Sequence, residues 1–287
     1  MIDLHNIRYC RLGTDDLLSS TRYAQEILGL SLIRSDSNSA YFRSDARDHT
    51  LCFFAGDPRT QSVAFEVLDA SVLDHAAAEL ERAHCPVRLA SEKECAERRV
   101  RQALFFADLS GNQIELVFRP EHSGVRFFPS RDAGLDGFSH IGLCSNNPAR
   151  DEAFWTGLLS AKVSDRIGDS ALLRIDGVHH RIALFPAQRT GIQHINHQVA
   201  SLDDLMRAYY FLLEKGIKIV FGPGRHPTSG AMFLYFEGPH GMVFEYSVGV
   251  KVFTPEEEAC HVPRQFDAIP SSFCMWGSKP DIPEFRK

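Results

Sequence analysis

The chain has 287 residues, 44% of them hydrophobic and 24% charged, with a net charge of −6. These proportions describe a globular protein long enough for two modest domains, each with a core of its own. No apolar run approaches the ~20 residues of a membrane helix, and no Lys/Arg cluster supports binding to nucleic acid. The N-terminal residues lack the basic-then-apolar layout of a secretion signal. Seven cysteines, an odd number without CxxC pairs, read as the reduced thiols of a cytoplasmic protein.

Taken in chain order, the elements form four βαβββ-like units, two in each half. The strand NIRYCRL (6–12) precedes a helix opening at Thr14-Asp15-Asp16, whose side chains can accept the free N–H groups of the first turn. That helix stops at Gly29, and the strands SLIRS, SAYFRS and HTLCFFA follow. The second unit is SVAFEVLD, the helix SVLDHAAAELERAHC and a hairpin around Ser110-Gly111-Asn112. Residues 119–137, rich in Pro, Gly and charge, read as a linker. The third unit is GFSHIGL, the helix PARDEAFWTGLL, SALLRI and HRIALFP; the fourth is HINHQVA, the helix SLDDLMRAYYFLLEKG and a final hairpin. The expected fold is α+β, with curved mixed sheets enclosing a site. Its divisions are an N-terminal metal-free domain (1–131), a C-terminal catalytic domain (132–250) and a tail (251–287).

Laying the halves on each other pairs Tyr9 with His140, Ser62 with His194 and Glu115 with Glu245. The first trio cannot hold a transition metal, whereas the second is two imidazoles and a carboxylate that leave coordination positions open. If the last hairpin turns at His240, Tyr235 sits across from Glu245, as Phe105 does from Glu115 in the first half. His194 and His197 lie three apart on a strand and so face opposite ways. The repeat sets His197 against Phe65, a packing position, and His194 is taken as the ligand. His180 aligns with His49; His179, His197 and His240 are read as structural or peripheral.

The segment GRHPTSGAMFLYFEGPHGMVFE (224–245) resembles the signature of the type I extradiol ring-cleavage dioxygenases of the vicinal oxygen chelate superfamily, the two-domain dihydroxybiphenyl and catechol 2,3-dioxygenase group. Gly224, His226, Leu234, Tyr235, Pro239, Gly241 and Glu245 match in order and spacing, while Gly238 departs from the usual polar residue. The resemblance spans about residues 3–250. It implies His140, His194 and Glu245 as ligands of Fe(II), or alternatively Mn(II), with His180, His226 and Tyr235 around them as catalytic and substrate-binding residues. It further implies a small aromatic diol and dioxygen as substrates, a muconic semialdehyde-type product and a symmetric homo-oligomer. Thr228 and the tail around Trp276 are expected to shape the pocket. Two rival functions on the same scaffold are a glyoxalase-like isomerase or epimerase and a non-enzymatic ligand-binding protein.

Overall fold

The computed structural model describes residues 1–285; the last two residues of the expected tail lie outside the described residues. The first half carries β1 (Asn6–Thr14), β2 (Ser31–Ser35), β3 (Ser39–Arg43), β4 (Leu51–Ala55), β5 (Gln61–Val67), β6 (Val87–Leu89), β7 (Gln102–Ala107) and β8 (Gln113–Phe118). The second carries β9 (Leu135–Ser145), β10 (Lys162–Ile167), β11 (Ser170–Arg174), β12 (Ile182–Pro186), β13 (Ile192–Val199), β14 (Ile219–Arg225), β15 (Met232–Glu237) and β16 (Val243–Val248). A final strand, β17 (Arg264–Phe266), comes from the tail.

The first sheet runs β2-β3-β4-β1-β5-β8-β7-β6, and the second runs β14-β15-β16-β13-β9-β12-β11-β10-β17. Read from its other end, the second order reproduces the first with β17 added. Each half is therefore two βαβββ modules joined through their first strands, β1 with β5 and β9 with β13, both antiparallel.

The helices form where the pattern placed them. The first, α1 (Leu17–Arg22), is capped by Asp16 accepting from the Ser19 N–H, continues as a π-turn over Tyr23–Ile27 and gives way at Gly29 with φ +71°. In α2 (Ala70–Arg82) the buried positions are Leu73, Ala76 and Leu80. The same spacing recurs in the long helix Leu202–Glu214, at Leu205, Ala208 and Leu212. Each therefore lays one apolar stripe on its sheet.

Several elements escaped the sequence reading. The three-residue β6 is shorter than any pattern can signal, and β10 (KVSDRI) mixes charge with only two apolar residues. The sequence of β14, IVFGPGR, has the glycines and proline of a turn. Proline is admitted there because β14 is the edge of its sheet. The helix α3 (Glu92–Arg98), closed by a Ser91/Glu94 capping box, fills the connection between β6 and β7.

One apolar cluster runs through both halves, from Ile2 and Leu4 to Phe244 and Tyr246. Hydrogen bonds cross with it: Tyr23 Oη donates to the Glu237 carbonyl at 2.8 Å, Tyr246 Oη to the Leu28 carbonyl at 3.0 Å and Asn112 Nδ2 to the Cys144 carbonyl at 2.9 Å. Trp155, fully buried, meets Phe65 of the other half edge-on at 5.6 Å. Truncating this indole removes a contact between the halves and leaves a cavity. Trp155→Ala is expected to cost ~3–5 kcal/mol, read as a lower urea midpoint.

Candidate metal centre

Six of the residues singled out in the sequence stand on neighbouring strands, in sheet order. His226 follows β14, Tyr235 is on β15, Glu245 on β16, His194 on β13, His140 on β9, and His180 directly precedes β12. The register pairs Tyr235 with Glu245, as the hairpin arithmetic requires. The turn is a 3₁₀ segment, Pro239–Gly241, with His240 at φ +56°.

The donor atoms of His140, His194 and Glu245 all lie within 4.8 Å of one another. His140 Nε2 is 3.1 Å from His194 Nε2 and 3.1 Å from Glu245 Oε2, and His194 Nε2 is 3.5 Å from Glu245 Oε2. Two donors at right angles around one ion, each bonded at ~2.1 Å, stand ~3 Å apart. The three edges therefore outline one face of an octahedron.

Polar accounting points to the same fit. Glu245 is 1% exposed, and among the described residues neither carboxylate oxygen has a hydrogen-bond partner of good geometry. His194 turns a bare nitrogen toward it. His194 Nδ1 is bonded to Gln193 Oε1, so a neutral His194 turns an unprotonated Nε2 toward the carboxylate. Burial pushes His194 down to about 3, with Glu245 opposing and His140 assisting, so the imidazole is neutral near pH 7. Burial also opposes ionisation of Glu245, yet His140, His226 and His194 hold its carboxyl well below the usual range. A cation among these three groups would stabilise the buried carboxylate, and these donors suit a divalent transition metal.

The proton-carrying groups are oriented from behind. His179 Nε2 is 2.9 Å from Asp165 Oδ2, and its Nδ1 is 3.1 Å from His180 Nδ1. A neutral His179 therefore donates to Asp165 and accepts from His180 at Nδ1, leaving Nε2 of His180 as the free base. Burial, followed by His140 and its other histidine neighbours, keeps His180 far below its ordinary range. His180 packs on His140 with ring centroids 4.3 Å apart. His179, read from the sequence as structural or peripheral, is thus a link in a hydrogen-bonded chain. Its only sequence signal is that it adjoins His180.

On the opposite side His226 Nδ1 donates to the Phe273 carbonyl at 2.8 Å, and its Nε2 lies 3.2 Å from Tyr235 Oη. Burial and the nearby Glu245 raise Tyr235 well above the ordinary phenol range, so it remains a donor. His197 is buried against Phe138 at 5.9 Å, the packing position expected of it. Thr228 is buried in the turn after His226, its carbonyl accepting from Arg264 Nη2 at 2.6 Å.

The tail has a larger part than the sequence suggested. Its β17 extends the second sheet beside β10, and Arg264 grips Asp165 at 2.6 Å. Phe273, Cys274, Ile282 and Phe285 close an aromatic cluster with Phe185, Phe221, Phe233 and Tyr235. Trp276, expected near the pocket, is instead 52% exposed and outside that cluster. From the tail it is Phe273 and Phe285, not Trp276, that join the aromatic cluster around Tyr235.

Fold and site define a duplicated metal-binding scaffold, and its family is shown by sequence. The chain belongs to the Glyoxalase/Bleomycin resistance protein/Dioxygenase superfamily, whose profile matches residues 6–116 and again 137–246. It is 24% identical over 278 residues to a biphenyl-2,3-diol 1,2-dioxygenase of Sphingomonas paucimobilis, covering 90% of this chain and 92% of that protein. Identity to an iron-dependent extradiol dioxygenase of Rhodococcus jostii is 24% over 298 residues, covering 96% and 97% of the two chains. A Mn(II)-bound glyoxalase from Novosphingobium aromaticivorans superposes with a TM-score of 0.86 at 26% identity, over 99% of this chain and 94% of that one.

Gly142 lies opposite His194 in the β9–β13 register, and a Cβ there would come within 2.5 Å of His194 Nδ1. Gly142→Ala is therefore expected to displace the imidazole and weaken metal binding ~10-fold or more, by analogy with lost support behind a ligand. Glu245→Ala is expected to abolish binding. Elemental analysis of the folded variants after dialysis checks both, and full metal occupancy in Glu245→Ala would remove that residue from the ligand set.

Proposed function

We propose that this protein is an extradiol dioxygenase that opens the ring of a substituted catechol or related dihydroxylated aromatic beside its two hydroxyls, using dioxygen. His140, His194 and Glu245 would hold Fe(II), or alternatively Mn(II). The observation that carries the reading is the convergence of the buried Glu245, without a hydrogen bond of good geometry, on one nitrogen each of His140 and His194, with three proton-handling side chains around it. When bound, the metal supplies the electronic path between an electron-rich diol and oxygen, with coordination positions left for both.

The chain's own residues manage protons and position. His180, held with its Nε2 free by the chain through His179 to Asp165, is placed to take a proton from a substrate hydroxyl. His226 is fixed at Nδ1 by the Phe273 carbonyl, so Nε2 is the atom at which it gains or gives a proton. Tyr235 Oη lies beside that nitrogen and is kept protonated, a donor to a substrate oxygen. Thr228 is assigned to the pocket wall next to His226. Phe185, Phe273 and Phe285 offer an apolar, aromatic surround that suits a planar ring and excludes water.

The glyoxalase among the structural neighbours keeps a metal-dependent isomerase as the second reading. That chemistry consumes no oxygen. A homo-oligomer and a cytoplasmic setting belong to the same proposal. The second is supported by seven cysteines that are all unpaired, the first by family likeness alone. No helix among the described residues is long and apolar enough to cross a membrane.

Anaerobic loading with ferrous iron, followed by a panel of catechols in an oxygen electrode, is expected to show oxygen uptake with a yellow ring-opened product. Absence of uptake across the panel, with iron bound, would favour the isomerase. In the active protein, His180→Ala and His226→Ala are each expected to lower kcat by ~10²–10⁴ with iron retained. Wild-type turnover in both would remove them from the mechanism.

A further inference from the structure

The first half keeps a cavity where the second keeps its metal centre, and its chemistry is different. About 570 Å³ in volume, it is lined by Arg11, Arg88, Arg98, Phe54, Phe105 and Glu115, among others. Glu115, the counterpart of Glu245, is fully satisfied. It accepts from Tyr9 Oη at 2.8 Å, from Ser62 Oγ at 2.7 Å, and from Arg98 Nε at 2.7 Å and Nη2 at 3.2 Å. Those four bonds use the lone-pair positions a carboxylate offers.

Arg11 is then in surplus. It is 8% exposed, with Tyr41 and Glu115 as polar neighbours, and its Nη1 is buried without a hydrogen-bond partner. Two guanidinium groups thus share this interior with one carboxylate, and Arg11 has no ion pair of its own beside an open cavity. Exposed Arg88, paired with Glu94, stands at the mouth. The wall between is aromatic: Arg88 and Arg98 each lie 4.7 Å from the Phe105 centroid, and Arg11 is 5.4 Å from that of Phe54.

We infer that this cavity binds a small organic carboxylate with a planar apolar body, its carboxylate on Arg11 and its body against Phe105. A guanidinium fork matches a carboxylate in two parallel bonds, which would give Arg11 an anionic partner bonded to it directly. The volume falls within the range of small-molecule sites. This site is separate from the metal centre and stands whether or not the proposed ring cleavage is correct.

Benzoate is the probe. Calorimetric titration of the metal-loaded protein is expected to show one saturable site, with the same affinity in Glu245→Ala. Loss of one charge-assisted bidentate pair in Arg11→Met is expected to weaken binding ~10-fold or more, and Arg88→Glu at the exposed mouth to weaken it in the same sense. Wild-type crystals soaked in 4-bromobenzoate, which need no variant to fold, are expected to place the bromine in this cavity. The inference is overturned by no binding to the wild type, by loss of binding in Glu245→Ala, by unchanged affinity in folded Arg11→Met, or by bromine found only elsewhere.

Discussion

A carboxylate sealed inside a protein must meet a positive charge or a set of donors, because burial otherwise costs more than folding can supply. Glu245 has no hydrogen bond of good geometry among the described residues. On β16 inside its sheet, it faces His194 on the adjacent β13 and His140 on the next strand, β9, and His194 offers it a lone pair. Every other feature of the second half makes sense around that deficit. His194 is locked by Gln193 with its bare nitrogen inward, and the aromatic roof raises the cost of leaving the deficit unmet.

The duplicated half shows the same problem solved with protein atoms. At the position of Glu245 stands Glu115, and there Arg98 supplies the cation, while Tyr9 and Ser62 supply donors. Arg98 comes from α3, inserted where the second half has the loop that carries His226. Directly paired positions on the joining strands trade volume: Arg11 faces Ser62 in one half and Gly142 faces His194 in the other. A long side chain beside a short one is kept, but its charge and its strand are exchanged.

A second correspondence lies behind the rings. In the first half Arg34 binds Asp48 at 2.6 Å, and Asp48 binds His49 at 2.9 Å, with His49 stacked on Tyr9 at 4.5 Å. In the second, Asp165 binds His179, which binds His180, which packs on His140. The order of charge is the same, cation–anion–imidazole, with Arg264 heading the second chain, but the second adds one more imidazole. The first arrangement makes Nδ1 of His49 a donor to a carboxylate, a structural use. The second frees Nε2 of His180 toward the metal-binding face.

The residues of the site were legible because duplication supplied an internal control. Tyr9, Ser62 and Phe105 mark positions where the scaffold needs no metal, so His140, His194 and Tyr235 stand out against them. The βαβββ order was legible too, since each helix carries a cap and an apolar stripe, and each long strand its branched and aromatic residues. Short or Pro- and Gly-bearing strands such as β6 and β14 were not, because pairing rather than intrinsic preference makes them strands. Nor was the placing of the tail. Phe273 fixes His226 through a main-chain carbonyl, and a carbonyl is the same in every residue. His179 and Arg11 likewise gain their meaning from neighbours remote in sequence. Local patterns record what a residue is and which way its strand faces. Which lone pair is left free, and which charge is left unpaired, depends on distances between strands that only the folded chain sets.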